Sequence, residues 1–115
     1  MRIPMPEQQG AYWCMVKVDF SDPSREAEFN QWYNEVHVPE LLSLPGFLRA
    51  WRVQVAQDPR ALGEPGQTYI AVYEIENPAV FDQLAGRASW DGKWGPYIKN
   101  WARTFYHVMY PGMAP

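Results

Sequence analysis

The sequence has little of what several classes of protein require. Its single cysteine, Cys14, excludes an internal disulfide and any metal site built from several cysteines, and its apolar surroundings predict a buried side chain. The ten Lys and Arg residues form no run and are outnumbered by 13 Asp and Glu, which gives a net charge of −3. Nucleic acids and anionic membranes bind clustered basic residues, so we expect neither as a partner.

Long apolar segments are also missing. No stretch approaches the roughly 18 apolar residues of a membrane-spanning helix. Residues 1–10 are polar, contain two prolines and lack the apolar centre of a secretory signal. We therefore expect a cytoplasmic protein. We also expect residues 1–10 to form an N-terminal arm and residues 11–115 to form a single domain.

Aromatic side chains are abundant. They make up 16% of the 115 residues and include six Trp and seven Tyr. Such rings fill a core between a sheet and its helices, or they line a pocket or a subunit interface. We expect most of them in the core and at an interface, and a minority against a ligand.

Four segments have the composition of β-strands. They are rich in β-branched and aromatic residues, and the third alternates clearly between apolar and polar positions. The predicted strands cover residues 11–20, 47–56, 68–76 and 101–110. A polar loop with several Gly and Pro residues separates the second strand from the third, as in a hairpin with a long tip.

Two helices are predicted between these strands. Apolar residues three and four apart indicate a helix from Pro23 to about Leu44, which Pro39 should kink or restart. Asn77 followed by Pro78 marks the start of a short second helix that ends near residue 85. Residues 87–100, with two glycines and two tryptophans, form the connection to the last strand.

The element order is therefore β-α-β-β-α-β. Right-handed crossovers then give an α+β, ferredoxin-like fold, with a four-stranded antiparallel sheet and both helices on one face. Alternation puts large apolar side chains on both faces of the first and last strands. A face without helices needs another cover, and a two-fold homodimer is the simplest one.

His37 is the first candidate for chemistry. It belongs to a ladder spaced by four residues with Phe29, Tyr33 and Leu41, so it should point toward the sheet. A half-buried imidazole suits proton transfer near neutral pH, although a structural histidine bonded to the backbone near the proline is an equally good interpretation. Tyr33, one turn earlier, and Glu40, three residues later, are the candidate helpers.

Other residues are candidates for binding a substrate. Trp32 flanks the helix, and Asn34 and Glu35 are expected to point away from the buried ladder. Arg49 and Arg52 lie on opposite faces of the second strand, and we choose Arg52 as the residue that reaches an anionic group such as a carboxylate. The remaining candidates are Trp90, Trp94 and Tyr97, as an aromatic lid or as anchors of a loop, and His107, as a pocket or interface residue.

Known cofactor and catalytic motifs are missing. The sequence contains no Gly-x-Ser-x-Gly, P-loop, Gly-x-Gly-x-x-Gly or His-Glu-x-x-His pattern. Its two histidines are far apart in the chain and give little support to a metal site. We therefore expect neither a metal ion nor a cofactor.

Residues 28–53 resemble the EthD-like branch of the dimeric α/β-barrel superfamily. The resemblance rests on Phe29, Trp32, Tyr33, His37, Pro39, Leu44-Pro45-Gly46-Phe47 and Arg52, and residues 69–81 extend it. It implies a homodimer whose sheets pack face to face, a pocket in each subunit between sheet and helices, and His37 as the acid/base candidate. Relatives include polyketide cyclases, cofactor-free monooxygenases, isomerases, dehydratases and haem-handling proteins. The tryptophan-rich connection over residues 87–100 departs from the family pattern.

These observations lead to one main functional hypothesis. It is a cofactor-independent lyase, isomerase or cyclase that acts on a small apolar molecule, aromatic or polyketide-like, with His37 moving a proton. One alternative is a non-catalytic protein that binds a hydrophobic ligand or a partner. Another is a monooxygenase, either cofactor-free or linked to haem.

Overall fold

The computed structural model describes residues 11–84 and 92–110, so the proposed N-terminal arm and Trp90 lie outside the described residues. The strands are β1 (Tyr12–Phe20), β2 (Phe47–Gln54), β3 (Tyr69–Ile75) and β4 (Ile98–His107). They form one sheet in the order β2-β3-β1-β4, and all three neighbouring pairs are antiparallel. The predicted ferredoxin-like α+β fold is confirmed, with β4 beginning three residues earlier than expected.

The strand register separates the sheet into two faces. Cys14 of β1 lies opposite Tyr73 of β3 and Phe105 of β4, and these positions belong to the face that the helix covers. On β2, Ala50 pairs with Tyr73 and Arg52 pairs with Ala71, so both β2 residues point to this helix face. The opposite, open face carries two tryptophans and a tyrosine: Trp13 of β1, Trp51 of β2 and Tyr106 of β4.

One helical segment with three parts covers the sheet. It consists of α1 (Glu26–Trp32), a π-helical turn (Tyr33–His37) and α2 (Val38–Leu42). Asp22 precedes it and accepts a hydrogen bond from the backbone N–H of Ser24 at 3.0 Å. A kink or restart was predicted at Pro39, and a new α-helical part, α2, begins one residue earlier, at Val38. The irregularity is the π turn just before it, in which the Val38 N–H bonds to the Tyr33 carbonyl five residues back.

The second predicted helix is shorter and tighter than an α-helix. It is a 3-10 helix, Pro78–Leu84, and the Asn77 side chain accepts a hydrogen bond from the Ala79 N–H at 2.9 Å. Phe81 of this helix packs against Phe47 and Phe105, with ring centroids 5.0 and 5.3 Å away. It therefore covers the same face of the sheet as the first helix. Within the described residues no helix is long and apolar enough to cross a membrane.

The core lies between the helix and the sheet. Its largest fully buried side chains come from the helix, from β3 and from the segment before β4, and they are Phe29, Tyr33, Tyr73 and Trp94. Cys14 is also fully buried, as predicted, and burial raises the pKa of its thiol to about 12. Burial likewise raises the pKa of Tyr33 to about 12, and it raises the pKa of the neighbouring Tyr73. These groups therefore stay protonated and uncharged at neutral pH.

Gly46, between the helix and β2, provides a first test of the packing. Its φ is +89°, and an added Cβ would overlap Cγ1 of Val80. We expect Gly46→Ala to lower the free energy of unfolding by about 2–5 kcal/mol, since backbone strain and overpacking both contribute. Gly63→Ala is the matched control, because Gly63 has a φ of +82° but no atom within 4 Å of the added Cβ. Equal losses in urea denaturation of the two variants would contradict this packing.

The buried hydroxyl of Tyr33 predicts sensitivity to alkaline pH. The unfolded chain ionises this tyrosine near pH 10, whereas the folded protein holds its proton to about pH 12. The free energy of unfolding should therefore fall as pH rises from 10 to 12, and the fall should be less steep in Tyr33→Phe. The exposed Tyr110→Phe is the control and should keep the wild-type slope. Identical slopes for all three proteins, measured by urea denaturation across this range, would show that Tyr33 is not the group responsible.

Candidate functional site

His37 occupies the last position of the π turn and is half-buried. Its ring stacks on Trp32, with centroids 5.0 Å apart and planes 19° apart, and it meets Tyr33 edge to face at 4.9 Å. In a regular α-helix each four-residue step drifts by about 40° around the axis. The wider π turn opposes this drift, so Tyr33 and Leu41 stay buried with His37 between them along the chain.

Tyr33 connects His37 to the second strand. Its ring is only 2% exposed, and the guanidinium carbon of Arg52 lies 4.1 Å from its centroid. A cation over an aromatic face at this distance is an attractive interaction, and it is strengthened where water is excluded. His37 and Arg52 therefore both contact the same buried ring.

Arg52 is held by neutral amides of the helix. Its Nη1 donates to Oδ1 of Asn34 at 2.9 Å, and its Nη2 donates to Oδ1 of Asn30 at 2.8 Å. Asn30 in turn donates from Nδ2 to the Tyr69 hydroxyl at 3.2 Å, and that hydroxyl donates to the Glu26 carboxylate. This chain of bonds fixes the Asn30 amide with its oxygen toward the guanidinium.

The charge of Arg52 is not neutralised by these contacts. Among residues 11–84 and 92–110, no carboxylate lies within 4.0 Å of its nitrogens. Its Nε is buried without a hydrogen-bond acceptor, and desolvation lowers the pKa of the guanidinium. A half-buried cation whose partners in the described part of the chain are amides and aromatic rings is an uncommon arrangement.

A cleft of about 430 Å³ opens beside this cation. It lies between the helix and β2, which is an edge strand of the sheet. Its lining is partly polar and partly apolar, and consists of Asn30, Asn34, Val38, Ala50, Trp51, Arg52, Val53, Gln54 and Tyr69. Val38 and Ala50 contribute apolar surface next to the Arg52 guanidinium. His37 is adjacent in sequence to Val38 but does not line the cleft.

Glu40 and His107, two further candidates from the sequence, lie apart from the group around Tyr33. Glu40 is exposed, and its carboxylate makes no ion pair with a described residue. Its backbone carbonyl accepts a hydrogen bond from Ser43. His107 is exposed on β4, where its ring lies 4.9 Å from that of Tyr12 on the helix face of the sheet. The structure therefore brings neither of these side chains into the group around Tyr33.

The tryptophan-rich connection contributes to the core. Trp94 is 1% exposed and packs on Phe29, Trp32 and Phe20, with centroids between 5.5 and 6.1 Å away. Lys93 pairs with Glu28 at 2.9 Å and holds the segment against α1. Tyr97 is half-buried and lies against Phe20. Trp94 is therefore packed in the core and Tyr97 lies at its edge, while their proposed role as an aromatic lid stays a prediction.

Sequence reasoning missed part of the group around Arg52. Asn34 was expected to point away, but the structure places its side-chain oxygen on Arg52, and Asn30 does the same one turn earlier. The available signal was the spacing of four residues between two Asn residues on a helix that faces a strand arginine. Within the described segments, no three His, Cys, Asp or Glu side chains come together as a possible metal site.

Comparisons with known proteins agree on the fold. HapK from Hahella chejuensis is 17% identical with a TM-score of 0.64, over 90% of this chain and 98% of its own. An EthD family protein from Bacillus halodurans is 17% identical with a TM-score of 0.55, over 85% and 99% of the two chains. A protein described as an antibiotic biosynthesis monooxygenase from Bacillus cereus is 12% identical with a TM-score of 0.51, over 90% and 95%.

No protein-family model matches the chain, and no curated protein is significantly similar to it in sequence. Structural likeness at these low identities establishes the fold alone. The expectation raised by residues 28–53 is confirmed at that level: the chain has the ferredoxin-like fold that is also found in an EthD family protein.

Proposed function

We propose that this protein is a cofactor-independent enzyme of the lyase, isomerase or cyclase type, with His37 as its acid/base group. The observation that carries this proposal is the position of the imidazole, half-buried at the end of a π turn between two aromatic rings. π-Helical turns inside α-helices are frequent at functional sites. Histidine is the side chain most often used for general acid/base catalysis, and this position holds the imidazole in a defined orientation.

The surroundings of His37 indicate the kind of molecule on which it acts. Trp32 is half-buried beside His37 and provides a flat apolar surface, and flat apolar groups stack favourably on such a ring. A small aromatic or polyketide-like substrate fits this composition. Tyr33, with its pKa raised to about 12, would serve as a hydrogen-bond donor and not as a base. Glu40, exposed three residues after His37, would exchange the proton with solvent.

The open face of the sheet supports the proposal of a homodimer. Trp13 is 37% exposed, Val53 44% and Tyr106 43%, and all three point to the face that no helix covers. Burial of such a surface against a second copy would remove apolar area from water. We propose the cytoplasm as the location, consistent with the composition, and a small molecule as the partner of each subunit.

Two alternatives have specific support. Trp32 lies flat on His37, and Trp94 fills the core behind it, as expected of a non-catalytic protein that binds a hydrophobic ligand in the open cleft. The similarity in fold to a protein described as an antibiotic biosynthesis monooxygenase supports the second alternative, a monooxygenase that is cofactor-free or haem-linked. Oxygen uptake with a phenolic substrate would distinguish this second alternative from proton transfer.

His37 can be tested with a simple carbon acid. We expect the wild-type protein to accelerate hydrogen–deuterium exchange at the central carbon of benzoylacetone, measured by NMR, because a general base removes that proton. His37→Gln and His37→Ala should lower the rate above buffer by at least about 100-fold. His107→Gln is the control and should stay within about twofold of wild type.

Equal rates in the His37 variants and the wild type would contradict the assignment of His37 as the base. A similar loss in His107→Gln would also contradict it. Wild-type exchange no faster than buffer would favour the non-catalytic binding protein instead.

A further inference from the structure

We propose that the cleft beside β2 binds an organic carboxylate, with Arg52 as its charge partner and an aromatic or other apolar body behind the carboxylate. The proposed ligand class rests on the proposed function in one respect only, namely that the ligand bound in the cleft is the substrate. Binding of a carboxylate to the cleft can be measured without any turnover.

The positive charge of Arg52 has no anionic partner among the described residues. The Arg52 guanidinium is partly removed from water, yet its partners in the described part of the chain are amide oxygens and aromatic rings. Removing a cation from water is unfavourable unless an anion or a full set of acceptors compensates for it. Glu26, the carboxylate closest in the hydrogen-bond chain, is engaged by the Tyr69 hydroxyl and does not pair with the guanidinium. An anion that enters the cleft would supply the missing charge.

The Arg52 guanidinium has N–H groups left over on one edge. Nη1 donates to Oδ1 of Asn34 and, at 3.5 Å, to the backbone carbonyl of Asn30, and Nη2 donates to Oδ1 of Asn30. These three hydrogen bonds fix the plane of the guanidinium. Nε is left without an acceptor, and Nη2 carries a second N–H besides the one bonded to Asn30. Parallel N–H groups on one edge of a guanidinium match the two oxygens of a carboxylate. Nε is buried in this structure, so bidentate pairing there requires a small movement of the cleft wall.

The cleft has the size and composition of a site for a small organic acid. Its volume of about 430 Å³ lies within the usual range for small-molecule sites. Val38 and Ala50 add apolar surface next to the cation, whereas Gln54 and Asn34 are polar. This combination suits a molecule with one anionic end and one apolar body. A highly charged ligand such as a nucleotide would meet only one cation among the lining residues.

The cleft is also close to His37. Arg52 lies 4.1 Å from the centroid of Tyr33, and the His37 ring lies 4.9 Å from the same centroid. An acid anchored on Arg52 is therefore separated from the proposed base by a single aromatic ring. His37 does not line the cleft, so a ligand whose carboxylate binds Arg52 would meet the proposed base only where its apolar body extends past the Tyr33 ring.

The inference can be tested with a matched pair of ligands that differ in charge. We expect 1-naphthoate to bind at least about tenfold more tightly than neutral 1-naphthamide, measured by two-dimensional NMR titration. The shifted backbone signals should include Asn34, Val38 and Gln54, which line the cleft. Arg52→Met should reduce the preference for the carboxylate to within about twofold. Arg49→Met is the control and should keep the full preference, because Arg49 lies on the open face of the same strand.

Further variants keep the test decisive. Arg52→Lys retains the positive charge but lacks the planar guanidinium, so the preference for naphthoate over naphthamide should fall by at least about threefold. This variant provides the test if Arg52→Met does not fold. His37→Gln should abolish the accelerated hydrogen–deuterium exchange of benzoylacetone but leave the affinity for naphthoate within about twofold of wild type. Loss of turnover with retained binding would therefore separate the two proposals.

Three results would overturn the carboxylate site. They are equal affinities of the wild-type protein for naphthoate and naphthamide, an unchanged preference in both Arg52 variants, and an equal loss of preference in Arg49→Met. None of these results depends on whether the protein is an enzyme.

Discussion

The contact between Tyr33 and Arg52 joins the helix to the edge of the sheet. β2 has only one neighbouring strand, so its other edge depends on side chains for attachment to the rest of the domain. The Arg52 guanidinium provides this attachment through the Tyr33 ring and through hydrogen bonds to Asn30 and Asn34. The same ring supports His37. One buried aromatic side chain therefore contacts both the edge strand, through Arg52, and the candidate acid/base residue, His37.

The π turn explains how one helix serves both purposes. Pro39 has no N–H, so the regular bond to the carbonyl four residues back cannot form at that position. The chain accommodates this with wider hydrogen bonding between Tyr33 and Val38, which adds a residue to the turn. In a regular α-helix, residues four apart rotate by about 40° around the axis, so His37 and Leu41 would turn progressively away from the face that carries Tyr33. A local constraint on the backbone thus decides which side chains reach the candidate site.

Much of the fold was predictable from sequence, because each strand has its own pattern of β-branched and aromatic residues and the loops carry Gly and Pro. The opposite orientations of Arg49 and Arg52 also followed from alternation alone. The contacts of Asn34 were not predictable, since they depend on the register of β2 against β3 and on the phase of the helix after the π turn. The burial of Trp94 was not predictable either, because composition alone does not show whether a tryptophan packs in the core or covers a pocket.

The chemistry of Arg52 bears on why an arginine occupies this position at all. A linkage between helix and sheet needs no charge, and replacing buried ion pairs with well-packed apolar residues is often neutral or stabilising. Here the cation lacks even a carboxylate among the described residues, so its contribution to stability is limited to amide bonds and ring contacts. An anion bound in the proposed carboxylate site would give that charge a role. On this argument Arg52 would hold the ligand, and the Tyr33 ring, which contacts both Arg52 and His37, would connect the proposed binding site to the proposed base.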